Sequence, residues 1–504
     1  MSEASVPTSF GNLWRRILGV SIGGFLEWYD YSIYAVFAVV ISSEIFGSIG
    51  AIFLVFLSYA LGFVLRPAGS FFFGHIGDKY GRKRALTLTF WVMGVGTMLT
   101  GLVPGYSSIG IFAPILITIA RMAQGFGTGG EWGSASSYLI ELGGGERRGL
   151  FSSFQEFIAL LGIVVSTAVG LGLSTLPSQF LDSVGWRIPF LVGGAVIIPL
   201  AYISRRSLPE TDSFESIRSR NEIQSSPVLT TLRHDLRPFL IVLFGTAALT
   251  SGFYGAITYM TTYIVTIEKL SLGTALMATL ISLILVTSLT PVFGYLSDRF
   301  KTRKKLFLLS TLLLIPVTPI YFIVVETKAI APIMLMAAIF GIASSMGTGT
   351  LVSFISESFP TSERVTGNAS YNISAAYFGG FAPVISIALI NVLHSNIAPS
   401  YYVVAVACMS AVVIYFAKDT GSMKELSEVE SPYHTSPPDT GAHVDSRAQV
   451  RGIGAGTASG WDHIRESRLN RHGHSEHQTS VPLIRLGCPI PRKPVRERDV
   501  SRGI

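Results

Sequence analysis

The stretch GGFLEWYDYSIY (Gly23–Tyr34) lies inside an apolar run from about residue 17 to residue 41, yet it carries two carboxylates, Glu27 and Asp30. At helical spacing Glu27, Asp30, Tyr31 and Tyr34 fall at i, i+3, i+4 and i+7 and so share one face. A second apolar run, 110–138, holds Arg121, Gln124, Thr128 and Glu131 at i, i+3, i+7 and i+10, another polar stripe. An ionised side chain at the centre of a membrane helix costs about 2.5–3.5 kcal/mol on insertion scales. Such stripes must therefore face a wet cavity or each other. With a rise of about 1.5 Å per residue, Glu27 and Arg121 reach similar depths near the midplane and can pair. Three acids (Glu27, Asp30, Glu131) then face Arg121, with Arg66 nearer one end. An acid lacking a full partner is neutral when its site is dry and ionised when it is wet. That chemistry moves protons in step with access to the site, and Glu27, Asp30 and Glu131 are the expected carriers.

The elements that position these residues follow from composition. The 504-residue chain is 49% hydrophobic and 14% charged, with a mean hydropathy of +0.50. Soluble domains carry about 25% charged residues, so the chain is short of polar surface and belongs to the membrane class. Reading for runs of about 20 apolar residues gives about twelve spans: 17–41, 51–73, 85–104, 110–138, 153–175, 187–204, 238–265, 273–296, 306–325, 330–356, 367–393 and 399–417. Basic residues gather at the N-terminus and on every second loop, as in Lys79/Arg82/Lys83/Arg84, Arg147/Arg148 and Arg299/Lys301/Arg303/Lys304/Lys305. The intervening loops hold Arg187, Lys269 and Lys328. The positive-inside rule puts both termini in the cytoplasm. The same alternation makes loop topology, rather than nucleic-acid binding, the reading of the +7 formal charge. No secretory signal peptide is expected, and the two cysteines suggest no disulfide framework.

The polar segment 207–236 divides the spans six and six, giving bundles over 1–206 and 237–418. The remainder, 419–504, holds six of the nine histidines and no sustained apolar run, and is expected to be a disordered cytoplasmic tail. The halves repeat. GHIGDKYGRKR from Gly74 answers GYLSDRFKTRKK from Gly294, with Asp78 and Asp298 220 positions apart. ELGGGERRG and ESFPTSERVTG likewise match Glu141 to Glu357 and Arg148 to Arg364. Parallel six-helix repeats are an architecture of transporters, with the site at midplane between the halves. Asp78, Arg82, Glu141 and Arg148, with Asp298, Arg303, Glu357 and Arg364, are the expected ion latch at the cytoplasmic face. The alternative is that these loops are basic for topology alone.

GHIGDKYGRKR resembles the loop motif of the major facilitator superfamily. Together with GGFLEWYDY, RMAQGFGTGGEWG and SESFPTSERVTG, the likeness over residues 10–418 is to its metabolite:proton symporters, a group that includes oxoglutarate, citrate, shikimate and proline/betaine transporters. The resemblance implies an all-α integral membrane fold of two six-helix bundles rocking about a central site, with uptake driven by protons.

The substrate pocket is expected to use Arg121, Tyr31, Tyr34 and Gln124, completed from the second half by Tyr259, Tyr371 and Asn372. Tyr263 and Tyr377 serve either the pocket or the membrane interface. Arg121 offers a bidentate donor pair and favours an organic carboxylate. A zwitterion such as proline or betaine, using acids and ring faces for its cation, is the alternative, and a transporter-like sensor is another. Static pairing is the competing reading of the buried charges. Against it, the positions 220 beyond Glu27 and Asp30 are Ala247 and Thr250, so the charges are not repeated. No enzyme motif such as HExxH appears, and neither a cofactor nor a metal is expected. The expected partners are a small molecule, protons and the lipid bilayer of a bacterial inner membrane, with no nucleic acid; the chain is expected to act as a monomer.

Overall fold

The computed structural model describes residues 10–48, 51–69, 72–73, 76, 82–129, 132–143, 146–197, 199, 236–359 and 364–419. Each of the twelve expected apolar runs contains helix within these limits. In the first half these are α1 (Phe10–Val36), α2 (Ala38–Glu44), α3 (Ile52–Val64), α4 (Arg82–Leu102), α5 (Phe112–Thr128), α6 (Trp132–Leu142) and α7 (Arg148–Leu173), followed by the short helix Ile188–Val192. The second half has α8 (Leu236–Thr266), α9 (Leu272–Arg299), α10 (Lys304–Glu326), α11 (Ile330–Ser356), α12 (Ala369–Leu393) and α13 (Ala398–Phe416). Eight helices among the described residues are long and apolar enough to cross a membrane, or nine when α1 and α2, bent by 61° at Phe37, count as one span. The fold is all-α and membrane-spanning, as its composition requires.

Local chemistry sets several boundaries. The Ser271 hydroxyl accepts from the Thr274 amide at 3.1 Å and caps α9. His394, in the left-handed conformation at φ 49°, stops α12. Two spans depart from α-geometry, with π-turns at Tyr254–Thr258 in α8 and Ala375–Gly380 in α12. Such turns rotate side chains out of helical register and recur at functional sites. These two meet: a Cβ on Gly379 would come within 2.5 Å of the Tyr254 ring.

The halves pack through a seam built on small residues. Helix α7 lies along α1 on its own side and along α9 and α11 of the other half, while α3 packs on α12. At one end of the α7–α9 crossing a Cβ on Gly294 would meet the Ser153 hydroxyl at 2.5 Å and the Gly149 carbonyl at 2.7 Å. At the other end Gly273 faces the Ser174 hydroxyl. The two helices approach most closely at the Gly149–Gly294 end, in the manner of small-residue contacts between membrane helices. Inside the first half Gly125 lies directly on the Gly62 carbonyl, leaving no room for a side chain. That contact brings α5 against α3 and fixes the depth of Arg121.

Candidate functional site

The two acids of α1 each meet an arginine from a different helix of the same half. Glu27 pairs with Arg66, just beyond the end of α3, at 2.8 Å, and Asp30 pairs with Arg121 of α5 at 3.3 Å. All four side chains are buried. The Arg121 guanidinium also donates to the Thr100 hydroxyl at 2.9 Å and lies over the Tyr34 ring at 4.6 Å, while Gln124 donates to Thr97 at 2.7 Å. Arg66 stacks on Phe63 at 4.1 Å and Tyr31 at 4.5 Å. The arginines are therefore held by acids, hydroxyls and ring faces within the first half. Removing one partner of such a pair would leave the other as an uncompensated buried charge.

A cavity of about 40 Å³ opens next to this nest, between the halves. Rings line it from both sides: Trp28 of α1, Phe253 and Tyr254 of α8, and Tyr371 of α12. Thr250 and Thr348 add hydroxyls, aliphatic side chains of α7, α8 and α11 fill the rest, and no lysine or arginine lines it among the described residues. The one charged group in the lining among the described residues is Glu156, on the face of α7 toward the second half. It accepts from the Trp132 indole N–H at 3.3 Å, and the Gln155 amide donates to the Trp132 carbonyl at 3.1 Å. The Trp132 ring rests on Tyr371 of the opposite half, centroid to centroid 4.7 Å. The buried Tyr254 hydroxyl has no hydrogen-bond partner among the described residues.

A second charged assembly sits where α7 begins. The amides of Gly149 and Leu150, in its first turn, each donate to the Asp298 carboxylate at 2.8 Å, so an acid of the second half caps a helix of the first. Arg303 bridges Asp298 at 2.7 Å and Glu357 at 3.3 Å, and Arg148 approaches Glu357 at 3.7 Å across the seam. Burial alone would lower the Arg303 pKa; the neighbouring Glu357 and Asp298 outweigh it and hold it above the ordinary arginine value. The chain after α13 supports this loop, because Asp419 accepts from the amides of Arg303 at 2.9 Å and Lys304 at 3.4 Å.

Among the expected pocket residues the structure puts Tyr371 on the cavity. Tyr31, Tyr34, Arg121, Gln124 and Tyr259 are buried but not among the lining residues, and Asn372 is half-buried outside the lining. Arg121 pairs with Asp30 rather than with Glu27, whose partner is Arg66. Tyr263 is buried and donates to Glu268 at 3.3 Å, whereas Tyr377 is exposed. Arg148, Asp298, Arg303 and Glu357 come together. Asp78, Glu131 and the side chains of Arg82, Glu141 and Arg364 lie outside the described residues. Sequence reasoning missed Glu156 and Trp132. The signal was present, since Glu156 is an acid within the apolar run 153–175, the same anomaly that singled out Glu27.

Comparison with known proteins agrees with this architecture. The family profile described as Major Facilitator Superfamily matches residues 20–382 and 281–471. The chain is 33% identical over 403 residues to the citrate-proton symporter of Klebsiella pneumoniae, covering 79% of this chain and 90% of that protein. It is 30% identical over 430 residues to the proline/betaine transporter of Escherichia coli (strain K12), covering 82% and 85%. The ectoine/proline transporter of Corynebacterium glutamicum is 30% identical over 436 residues, covering 81% and 84%. Among solved structures, the proton:xylose symporter bound to 6-bromo-6-deoxy-D-glucose superposes with a TM-score of 0.65 at 18% identity, over 82% of this chain and 98% of that one. The last likeness concerns the fold.

Proposed function

The chain belongs to the major facilitator superfamily, and we propose that it is a proton-coupled symporter of a zwitterionic compatible solute of the proline or betaine class. The observation that carries the solute class is the cavity lining, which among the described residues has four aromatic rings, one carboxylate and no cationic side chain. Ring faces and a carboxylate suit an ammonium group, while an anionic carboxylate substrate would meet the Glu156 carboxylate and be repelled by it. The solute's own carboxylate has the unpartnered Tyr254 hydroxyl and the hydroxyls of Thr250 and Thr348 as donors. Similarity to proline/betaine and ectoine/proline transporters supports this reading.

A second reading, an organic carboxylate carried with protons, is favoured by the citrate-proton symporters at 31–33% identity. It needs Arg121 at the substrate. In the structure Arg121 is occupied by Asp30, Thr100 and the Tyr34 ring, away from the cavity lining.

The Asp30–Arg121 pair is the proposed coupling site. When Asp30 takes up a proton it releases Arg121, and its buried neighbours rearrange; when the site is wetted from the other face the proton leaves and the pair reforms. Glu27–Arg66 is the accessory pair. The Asp298–Arg303–Glu357–Arg148 cluster is the latch that holds one face shut, and the alternation of basic loops supports placing that face and both termini in the cytoplasm of a bacterial cell. The test is uptake into proteoliposomes under an imposed pH gradient, screening labelled proline, betaine, citrate and xylose. Accumulation of proline or betaine that collapses with a protonophore is the expected result. Accumulation of citrate alone would replace the reading with the carboxylate one.

A further inference from the structure

We propose that Glu156 is the specificity-determining residue for the cationic end of the solute, with Trp132 as the residue that positions it. The inference rests on the zwitterion reading above and assigns the side chain that performs it. Glu156 is the one charged group on the cavity among the described residues, and the rings of Trp28, Tyr254 and Tyr371 that line the same space provide faces for a cation. A carboxylate kept in so apolar a setting is costly without a counter-charge. Among the described residues it has an indole N–H at 3.3 Å instead, a neutral donor in a long hydrogen bond. A substituted ammonium arriving between the rings supplies the missing positive charge and gains from the carboxylate and the ring faces together.

Trp132 controls where that carboxylate points. Its backbone carbonyl is held by Gln155 and its indole by Glu156, both on α7, so it belongs mechanically to the first half. Its ring nevertheless rests on Tyr371 of the second half. When the halves part, Tyr371 leaves and Trp132 stays with Glu156. The ring faces around the cation then separate while its counter-charge remains, which weakens binding as the cavity opens. Among the described residues Glu156 makes no hydrogen bond or ion pair to Asp30 or Arg121, and the proposal gives solute recognition and proton transfer to different carboxylates.

The discriminating probe is 3,3-dimethylbutanoate, which has the shape and carboxylate of betaine with carbon in place of the cationic nitrogen. In proteoliposomes of the full chain, inhibition of labelled betaine uptake by unlabelled betaine and by 3,3-dimethylbutanoate is compared for wild type, Glu156→Gln and Trp132→Phe. Wild type should prefer betaine by at least about tenfold, and Glu156→Gln should lose most of that preference through a higher KM, with Vmax and protonophore sensitivity retained. Trp132→Phe keeps a ring on Tyr371 but removes the N–H that orients the carboxylate, and should lower the preference about two- to threefold. An unchanged preference in Glu156→Gln overturns the assignment. If that variant does not fold, a Trp132→Phe protein that weakens both inhibitors equally overturns it instead. Wild-type liposomes that take up neither proline nor betaine would overturn the solute class itself, a result separable from failure of the Glu156 variant alone.

Discussion

The molecule has two buried charge assemblies, and they differ in which helices they join. Glu27–Arg66 and Asp30–Arg121 lie wholly within the first half, on α1, α5 and the chain just beyond α3. The Asp298–Arg303–Glu357–Arg148 cluster joins the halves, with Asp298 fastened to the first amides of α7. A rigid rocking of one half against the other leaves the first assembly intact and must break the second. Protonation, conversely, acts on the internal pairs without requiring any helix to move first. On the proposed roles, the fold separates a chemical element from a mechanical one, and the packing of α1 against α7 and of α7 against α9 is the link between them.

The comparison is broken most forcefully at the internal pairs. Arg121→Ala strands Asp30 as a buried charge, at a cost of about 3–5 kcal/mol. A large fall in melting temperature is expected, with recovery in an Arg121→Ala/Asp30→Asn double variant; failure of the second change to restore stability would mean that the pair is not a unit. At the latch, Asp298→Asn weakens two charge-assisted hydrogen bonds worth about 1.5–3 kcal/mol each. Here the protein should stay folded and shift toward the form open at that end. A cysteine at Ser153, in a Cys408→Ser/Cys488→Ser background, should react with a thiol reagent about tenfold faster or more. Labelling that stays at the parent rate would show that the cluster does not hold the seam.

A smaller wedge sharpens the same point. Gly294→Ala forces a methyl group against Ser153 and the Gly149 carbonyl, an overpacking cost of about 1–3 kcal/mol. It should favour the open form, seen as faster labelling, while melting temperature changes little because the open form relieves the clash. The smallest expected effect is one of pH. The raised Arg303 pKa means that its contribution to the latch is complete below the ordinary arginine value and is lost only as pH rises beyond it. Between about pH 6 and about pH 9, Arg303 therefore gives the latch no titration, and the labelling rate, once divided by the thiolate fraction read from a free-cysteine control, should stay flat while solute uptake varies with pH. A latch that opens within that window would merge the two assemblies into one titrating device.

Much of this was legible in the sequence because membrane helices report their own boundaries. Runs of apolar residues and the repeat of Gly74 with Gly294 were enough to place helices and to single out Asp298, Glu357 and Arg148, which the structure brings together. Helical periodicity also brought Glu27 and Asp30 to one face. Partner choice was not legible. Whether Arg121 reaches Glu27 or Asp30 depends on how deeply α5 crosses α3, which the Gly62–Gly125 contact sets. The π-turns of α8 and α12, where Tyr254 and Gly379 come together, carried no signal that the sequence reading used. Glu156 was readable by the rule that found Glu27, but its place on the cavity depends on the Trp132–Tyr371 contact between helices far apart in sequence.

The most direct test of the division between chemical and mechanical elements is proton movement measured alongside solute. Proteoliposomes of wild type and Asp30→Asn are given betaine or proline with no imposed pH gradient, and an external pH dye records proton uptake while labelled solute records flux. The account predicts that wild type takes up protons with the solute, whereas Asp30→Asn exchanges solute across the membrane with no proton signal and no accumulation. A proton signal of wild-type size per solute in Asp30→Asn would contradict it, and the Asp30–Arg121 pair would then be a structural brace.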